Sequence, residues 1–139
     1  MPPLTRWFIK TSLVYFILAL VASLLRTMTA IWKLPFPTGE LFPIYIHLLA
    51  EGWITLLIMG VVFWMFPKYS RERPRGSELL GWLNYGLINA GLLLRIISET
   101  ASAQQPFTVW GWMLVLSAAI QWAGGMAFVL NTWGRVKEK

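Results

Sequence analysis

The chain has 139 residues, of which 57% are hydrophobic and only 13% charged, whereas soluble domains have roughly 45–50% apolar and about 25% charged residues. This composition excludes an ordinary soluble domain and predicts a protein of the lipid bilayer. The net charge of +6 comes with no recognisable nucleic-acid-binding motif, so we expect no DNA or RNA partner. Cysteine is absent, which excludes disulfides, thiolate metal sites and cysteine nucleophiles.

Four apolar runs follow one another along the chain, and each is long enough to cross a bilayer as a helix. The first is too long for a signal peptide and lacks a small-residue cleavage pattern, so we expect it to be retained. We expect Pro43 in the first turn of the second helix, where its missing N–H costs little, and Ser77 as the cap of the third. The runs cover about residues 7–26, 41–66, 77–97 and 108–133.

Short connections between these runs predict an all-α, up-down-up-down four-helix membrane bundle, a single transmembrane domain over residues 1–139. Nine of the twelve Lys and Arg residues would share one side, which predicts that both termini are cytoplasmic, in a prokaryotic inner (plasma) membrane. The nine are Arg6, Lys10, Lys68, Arg71, Arg73, Arg75, Arg135, Lys137 and Lys139; the other three are Arg26, Lys33 and Arg95. Tryptophans near the expected span ends support the same boundaries: Trp7, Trp32, Trp64, Trp110, Trp112 and Trp133.

The second run reads LFPIYIHLLAEGWITLLIMGVVFWMFP and contains the only histidine, His47, four residues before Glu51. An ionised side chain inside a span costs about 2.5–3.5 kcal/mol on insertion scales, and it usually faces a bundle interior or a cavity. We expect His47 about 8 Å below the outer interface and Glu51 one turn deeper on the same face. A histidine that only hydrogen-bonds to a neighbouring helix and a histidine that binds a ligand both fit this pattern.

Two arginines, Arg26 at the end of the first span and Arg95 in the third, are expected just above His47. Guanidinium groups bind carboxylates in a bidentate manner, and a neutral imidazole can ligate iron. Haem b carries both partners, since its propionates would meet the arginines while His47 ligates the iron. The lone histidine argues against a closed zinc site. Arginines that merely reach the lipid headgroups are the alternative.

Small and polar residues extend this expected site. Gly52 permits either close contact between helices or the approach of a flat macrocycle. Asn89 and Gln121 lie near the middle of the third and fourth spans, where we expect hydrogen bonds across the bundle or contact with the cofactor or Glu51. Glu51 itself has three open roles, which are to face the haem edge, to bind a proton, or to point to Asn89 or Gln121.

The segment HLLAEGWITLLIMGVVFWMFP, with His47, Gly52, Gly60 and Pro67, resembles helix II of the catalytic subunit of haem-copper oxidases and the related nitric oxide reductases. WLNYGLINAGLLLRIISE, residues 82–99, resembles the third helix of short members described as oxidase-subunit-I-like. The resemblance implies that the chain corresponds to the first four of twelve helices. In that family, the histidine at the corresponding position is an axial ligand of the low-spin haem. The resemblance therefore also implies that His47 is an axial haem ligand.

The chain departs from that family because it has no second histidine, whereas the family takes its further haem and copper ligands from later helices. One copy therefore cannot assemble an oxygen-reducing centre, and no enzymatic turnover is predicted. We expect electron transfer or haem-based gas binding, with His47 shared across a homodimer or with an open sixth position. A respiratory electron donor or a larger membrane complex would be the partner. The alternative is a haem-free accessory or assembly subunit of such a complex; a transporter ranks lower because no broken, repeated helices are evident.

Overall fold

The computed structural model describes residues 1–32, 38–104 and 109–136, and every regular element in these ranges is helical. The four apolar helices of Pro3–Trp32, Leu41–Met65, Glu78–Ala103 and Val109–Trp133 are long and apolar enough to cross a membrane. The expected helical structure is therefore confirmed in the described ranges, with four helices that could span a membrane. The elements are α1 (Pro3–Trp32), α2 (Thr38–His47), a π-helical segment (Leu48–Thr55), α3 (Leu56–Met65), α4 (Glu78–Gln104) and α5 (Val109–Trp133).

The first and third helices are longer than their apolar runs. α1 continues to Trp32 and α4 to Gln104, although we expected ends near residues 26 and 97. Neither extension contains proline or glycine, so nothing in the backbone stops the helix where the apolar run stops. The expected start of the fourth span at Thr108 lies outside the described residues, as do Lys33, Lys137 and Lys139.

The expected position of Pro43 in a first helical turn is wrong. α2 begins at Thr38, so Pro43 is an interior residue in the second turn of this helix. Proline has no N–H to donate to the carbonyl four residues earlier, and one backbone hydrogen bond is therefore missing from α2. The second span consequently contains two departures from a regular α-helix, the proline and the π-helical segment that follows.

The apolar core lies between α1, the second span and α4. Glycines bring the first two spans together, since a Cβ added at Gly52 would lie 2.8 Å from the Cβ of Tyr15, and one at Gly60 would lie 2.6 Å from the Cβ of Phe8. Such close contact between backbones is how helices associate in a bilayer, where burial of apolar surface gives little driving force. The core residues are Leu4, Phe8, Tyr15, Ala19, Leu48, Leu56, Met59, Phe63, Ile88 and Leu92.

The connection between α3 and α4 is tied to the end of α5. Gly76 has φ +76°, a conformation that favours glycine, and an added Cβ would lie 2.5 Å from the Oδ1 of Asn131. The same Oδ1 accepts a hydrogen bond from the N–H of Ser77 at 2.8 Å. The expected helix cap is confirmed, because the hydroxyl of Ser77 accepts a hydrogen bond from the N–H of Leu80 at 3.3 Å.

Arg135 caps the end of the second span. Its side chain is only 1% exposed, and its guanidinium donates to the carbonyls of Phe63 (3.2 Å), Phe66 (2.8 Å) and Pro67 (3.1 Å). The last carbonyls of a helix have no partner within the helix, so a cation that donates to several of them satisfies both hydrogen bonding and the helix dipole. Burial, together with the positive charge of Arg75, lowers the pKa of the Arg135 guanidinium.

Replacing Arg135 should destabilise the bundle. We expect Arg135→Met to lower the free energy of unfolding by about 2–4 kcal/mol, because buried carbonyls left without donors cost about 1–3 kcal/mol each and part of this cost is relieved by water. Thermal unfolding in mild detergent measures the effect. The exposed Arg71 provides the control, and Arg71→Met should change stability by no more than about 0.5 kcal/mol. Equal stability of the two variants would contradict the capping role.

Candidate functional site

His47, Arg95 and Glu99 form a polar cluster where the end of α2 lies against α4. The Nε2 of His47 is 3.0 Å from the Oε1 of Glu99, and the Nε of Arg95 is 3.1 Å from each of these two atoms. Arg95 and Glu99 are one turn apart on α4, so both side chains project toward the same imidazole. Within the described ranges these are the residues that form ion pairs. We call this group the His47 cluster.

The distances determine how protons can be arranged in the His47 cluster. The contact between Nε2 of His47 and Oε1 of Glu99 needs one proton between the two atoms, carried by either residue. The N–H at Nε of Arg95 is directed between them and can donate to whichever atom has a free lone pair. Nε2 of His47 is therefore engaged, and Nδ1 is the ring nitrogen that makes no hydrogen bond to the described residues.

The cluster has unused hydrogen-bonding capacity. Oε2 of Glu99 is buried and has no partner among the residues that the structure describes. Arg95 uses only its Nε in the contacts above, so its two Nη groups donate to no acceptor in the described part of the protein. The side chains of His47 and Arg95 are 25% and 28% exposed, so the cluster opens onto the surface of the bundle.

Arg26 lies away from the His47 cluster, toward the start of the second span. Its guanidinium carbon is 4.8 Å from the centroid of the Phe42 ring, a cation–π distance, and the residue is exposed. Phe42 precedes His47 by five residues along α2. The structure thus brings Arg95 to His47, whereas no hydrogen bond in the described ranges joins Arg26 to either residue.

Glu51 meets Gln121, which is one of the three roles left open by the sequence. The Nε2 of Gln121 on α5 donates to Oε2 of Glu51 at 3.0 Å. Gly91 on α4 makes this contact possible, since a Cβ at that position would lie 2.6 Å from Cγ of Gln121 and 3.1 Å from the carbonyl oxygen of Ser117. The amide therefore reaches the second span across the bare backbone of α4.

The π-helical segment separates the partners of His47 from those of Glu51. The N–H of Leu56 bonds to the carbonyl of Glu51, five residues earlier, and the hydroxyl of Thr55 donates to the carbonyl of Ala50 at 2.9 Å. His47, directly before this segment, meets α4, whereas Glu51, inside it, reaches α5. Sequence reasoning missed this segment, and no residue type in it is a specific signal for a π-helix.

Asn89 and Gly52 both adjoin Tyr15 of α1. The hydroxyl of Tyr15 donates to Oδ1 of Asn89 at 2.9 Å, and Nδ2 of Asn89 donates to the carbonyl of Tyr85 at 2.7 Å. The expected hydrogen bond from Asn89 across the bundle is confirmed. Gly52 leaves the space that the Tyr15 side chain fills. Contact of Gly52, Asn89, Gln121 or Glu51 with a cofactor stays a prediction.

The residues around His47 can be compared with the ligands that a haem group requires. No three His, Cys, Asp or Glu side chains in the described ranges are placed to hold a bare metal ion, but haem iron needs only one or two axial ligands. The Nε2 of His47 is engaged by Glu99 and Arg95 of α4, so Nδ1 is the ring nitrogen that a haem iron would have to bind. The free Nη groups of Arg95 and the exposed guanidinium of Arg26 suit carboxylates. The residues fit a haem at the surface of the bundle.

Comparison of the chain with protein-family models, curated proteins and solved structures found no match. The resemblance of the second and third helices to those of haem-copper oxidases therefore stays a prediction.

The role of Gly91 can be tested against a matched glycine on the same helix. We expect Gly91→Ala to lower the free energy of unfolding by about 1–3 kcal/mol, since the added methyl group pushes Gln121 away from Glu51. Gly86 has no atom within 4 Å of an added Cβ, so Gly86→Ala should be neutral or stabilising by about 0.5–1 kcal/mol. Unfolding in detergent measures both variants. A harmless Gly91→Ala substitution would show that Gln121 does not depend on this gap.

Proposed function

We propose that the protein is an integral membrane protein of a prokaryotic inner membrane, an up-down-up-down bundle with both termini in the cytoplasm. The contacts of Phe8 with Gly60 and of Tyr15 with Gly52 support an antiparallel first pair of spans. The basic residues Arg6 and Lys10 and the loop of residues 68–75 support the orientation. The exposed tryptophans Trp7, Trp32, Trp64, Trp112 and Trp133 lie near helix ends, where the ring favours the headgroup region.

Within that membrane, we propose that the protein binds haem b at the His47 cluster. The observation that carries this proposal is the hydrogen bond between His47 and the carboxyl of Glu99. Histidines that ligate metals usually place the other ring nitrogen against a carboxylate or a carbonyl, which fixes the tautomer and raises the basicity of the ligand. Glu99 would hold Nε2–H in this way, and Nδ1 of His47 would be the iron ligand.

The arginines would bind the acidic edge of the haem. The unused Nη groups of Arg95 form a fork that suits a carboxylate, and Arg26 lies farther toward the start of the second span. When bound, haem supplies one-electron redox chemistry and an iron that can take a gas ligand. The arginines would orient the haem, and Glu99 would fix the tautomer of the His47 imidazole. The surrounding lipid would exclude water from the site.

We further propose that two copies share the haem in a homodimer. His47 is 25% exposed at the surface of the bundle while α4 covers its other edge, which supports an iron site between copies rather than within one. A two-fold axis would then bring a second His47 to the same haem. A haem with one open coordination position is the other form of this proposal. The electron partner would be a respiratory donor or a larger membrane complex.

A haem-free accessory or assembly subunit is the second candidate function. It is favoured by the fact that Nε2 of His47, Nε of Arg95 and Oε1 of Glu99 all have partners within the chain. Such a cluster can join α2 to α4 without any ligand. The surface of the bundle would then serve only to contact a larger complex.

Absorption spectra of the detergent-purified protein distinguish the two candidates. We expect a Soret band, sharp α and β bands after reduction with dithionite, and one haem per two chains by pyridine haemochrome. His47→Gly should purify without haem and should regain the spectrum when imidazole is added with haem, because free imidazole replaces the missing ligand. His47→Gln keeps hydrogen bonding to Glu99 and Arg95 and serves as the control for folding.

The accessory role would be favoured if the wild-type protein, expressed with ample haem, showed no Soret band. Full haem retention in His47→Gly would also overturn the assignment of His47 as ligand. A broad reduced spectrum that changes with carbon monoxide, at one haem per chain, would replace the shared site by an open one.

Glu99 should tune the site without binding iron. We expect Glu99→Gln to weaken haem binding by about 10–100-fold and to raise the midpoint potential, because the imidazole loses its carboxylate partner and becomes a weaker electron donor. Haem titration and potentiometry measure the two effects. Glu72 is exposed in the loop after α3, so Glu72→Gln is the matched control and should change neither value. Identical behaviour of both variants would exclude Glu99 from the site.

A further inference from the structure

Glu51 is a carboxyl within a membrane-spanning helix, and it forms no ion pair with the described residues. Its hydrogen bond comes from the neutral amide of Gln121, and none of the ion pairs in the described ranges includes it. Glu99 differs in this respect, because Arg95 and His47 both lie within 3.1 Å of its Oε1. The carboxyls of Glu51 and Glu99 therefore have different electrostatic surroundings.

The ionisable and polar groups around Glu51 come from several helices. Arg95 and Glu99 act on it through their charges, but the Nε of Arg95 is already engaged by Glu99 and His47. α3 contributes no ionisable side chain. These groups are Tyr15 of α1, Arg95 and Glu99 of α4, and Gln121 of α5.

The hydrogen bond from Gln121 is compatible with both forms of the carboxyl. Its Nε2–H can donate to an oxygen of the carboxylate and equally to the carbonyl oxygen of the neutral acid. A cation would instead hold the group in its charged form. The pair can therefore gain or lose a proton while Gln121 stays in place over Gly91.

The backbone at Glu51 is also unusual. Glu51 lies in the π-helical segment, and such segments inside α-helices frequently occur at functional sites. Ionisable residues inside spans are likewise rare, and they mark ion pathways and proton relays in membrane proteins. These two observations concern the backbone and the location, so they are independent of the hydrogen-bond geometry.

We propose that Glu51 and Gln121 form a proton-binding site inside the membrane. The carboxylate of Glu51 takes up one proton from water to become the neutral acid and releases it by the reverse step, with Gln121 holding the same oxygen throughout. The site needs no haem.

Infrared spectroscopy of the haem-free protein in lipid nanodiscs tests this site. The chain has six acidic residues, all of them glutamate, so few carboxyl bands contribute. Spectra recorded in small pH steps should contain a carbonyl-stretching band of a protonated carboxylic acid that is lost in Glu51→Gln. Glu72→Gln, at an exposed position, should retain this band in full. Circular dichroism verifies that each variant is helical.

Gln121→Met keeps an unbranched side chain over Gly91 but removes the amide, so it should retain the band at a displaced frequency. The proposal would be overturned if the difference between the infrared spectra of the wild-type protein and of Glu51→Gln contained no carbonyl band that changes with pH. An undisplaced band in Gln121→Met would exclude Gln121 and overturn the paired site. The measurement uses protein without haem, so failure of the haem proposal does not affect its outcome.

Discussion

The structure depends on one constraint, which is that polar groups inside a bilayer must find their partners within the protein because lipid offers none. Three cross-helix contacts meet this requirement at different levels of the bundle. His47 and Glu99 join α2 to α4, Gln121 joins α5 to Glu51, and Tyr15 joins α1 to Asn89. Each span is thereby bonded to at least one other span by side chains.

Small residues determine which of these polar contacts can form. Gln121 reaches Glu51 because Gly91 leaves α4 without a side chain at the crossing, and Tyr15 fits against the second span because Gly52 leaves room. A polar side chain in the middle of a span has few partners within its own helix. Whether it reaches a partner on another helix therefore depends on the side chains of the helix that lies between them. Glycine leaves the most space there because it has no side chain.

Hydropathy predicted the four apolar helices because the length of an apolar run is visible in the sequence itself. The contact of His47 with Arg95 was expected because both residues were placed at a similar depth in the membrane. Glu99 was not predicted as a partner of His47, because the apolar run ends at Ile97 while the helix continues. The pairing of Glu51 with Gln121 was one of three open roles. The choice between them depends on how α4 and α5 pack, since Gln121 lies where Gly91 leaves space on α4, and local sequence does not give that packing.

The cap at Arg135 has a consequence for the order in which the protein assembles. The carbonyls of Phe63, Phe66 and Pro67 belong to the second span, but the cation that satisfies them follows all four spans in the chain. During synthesis these carbonyls depend on water or headgroups until α5 has inserted and Arg135 has arrived. The hydrogen bonds at the end of the second span can therefore form only after the last helix has been synthesised.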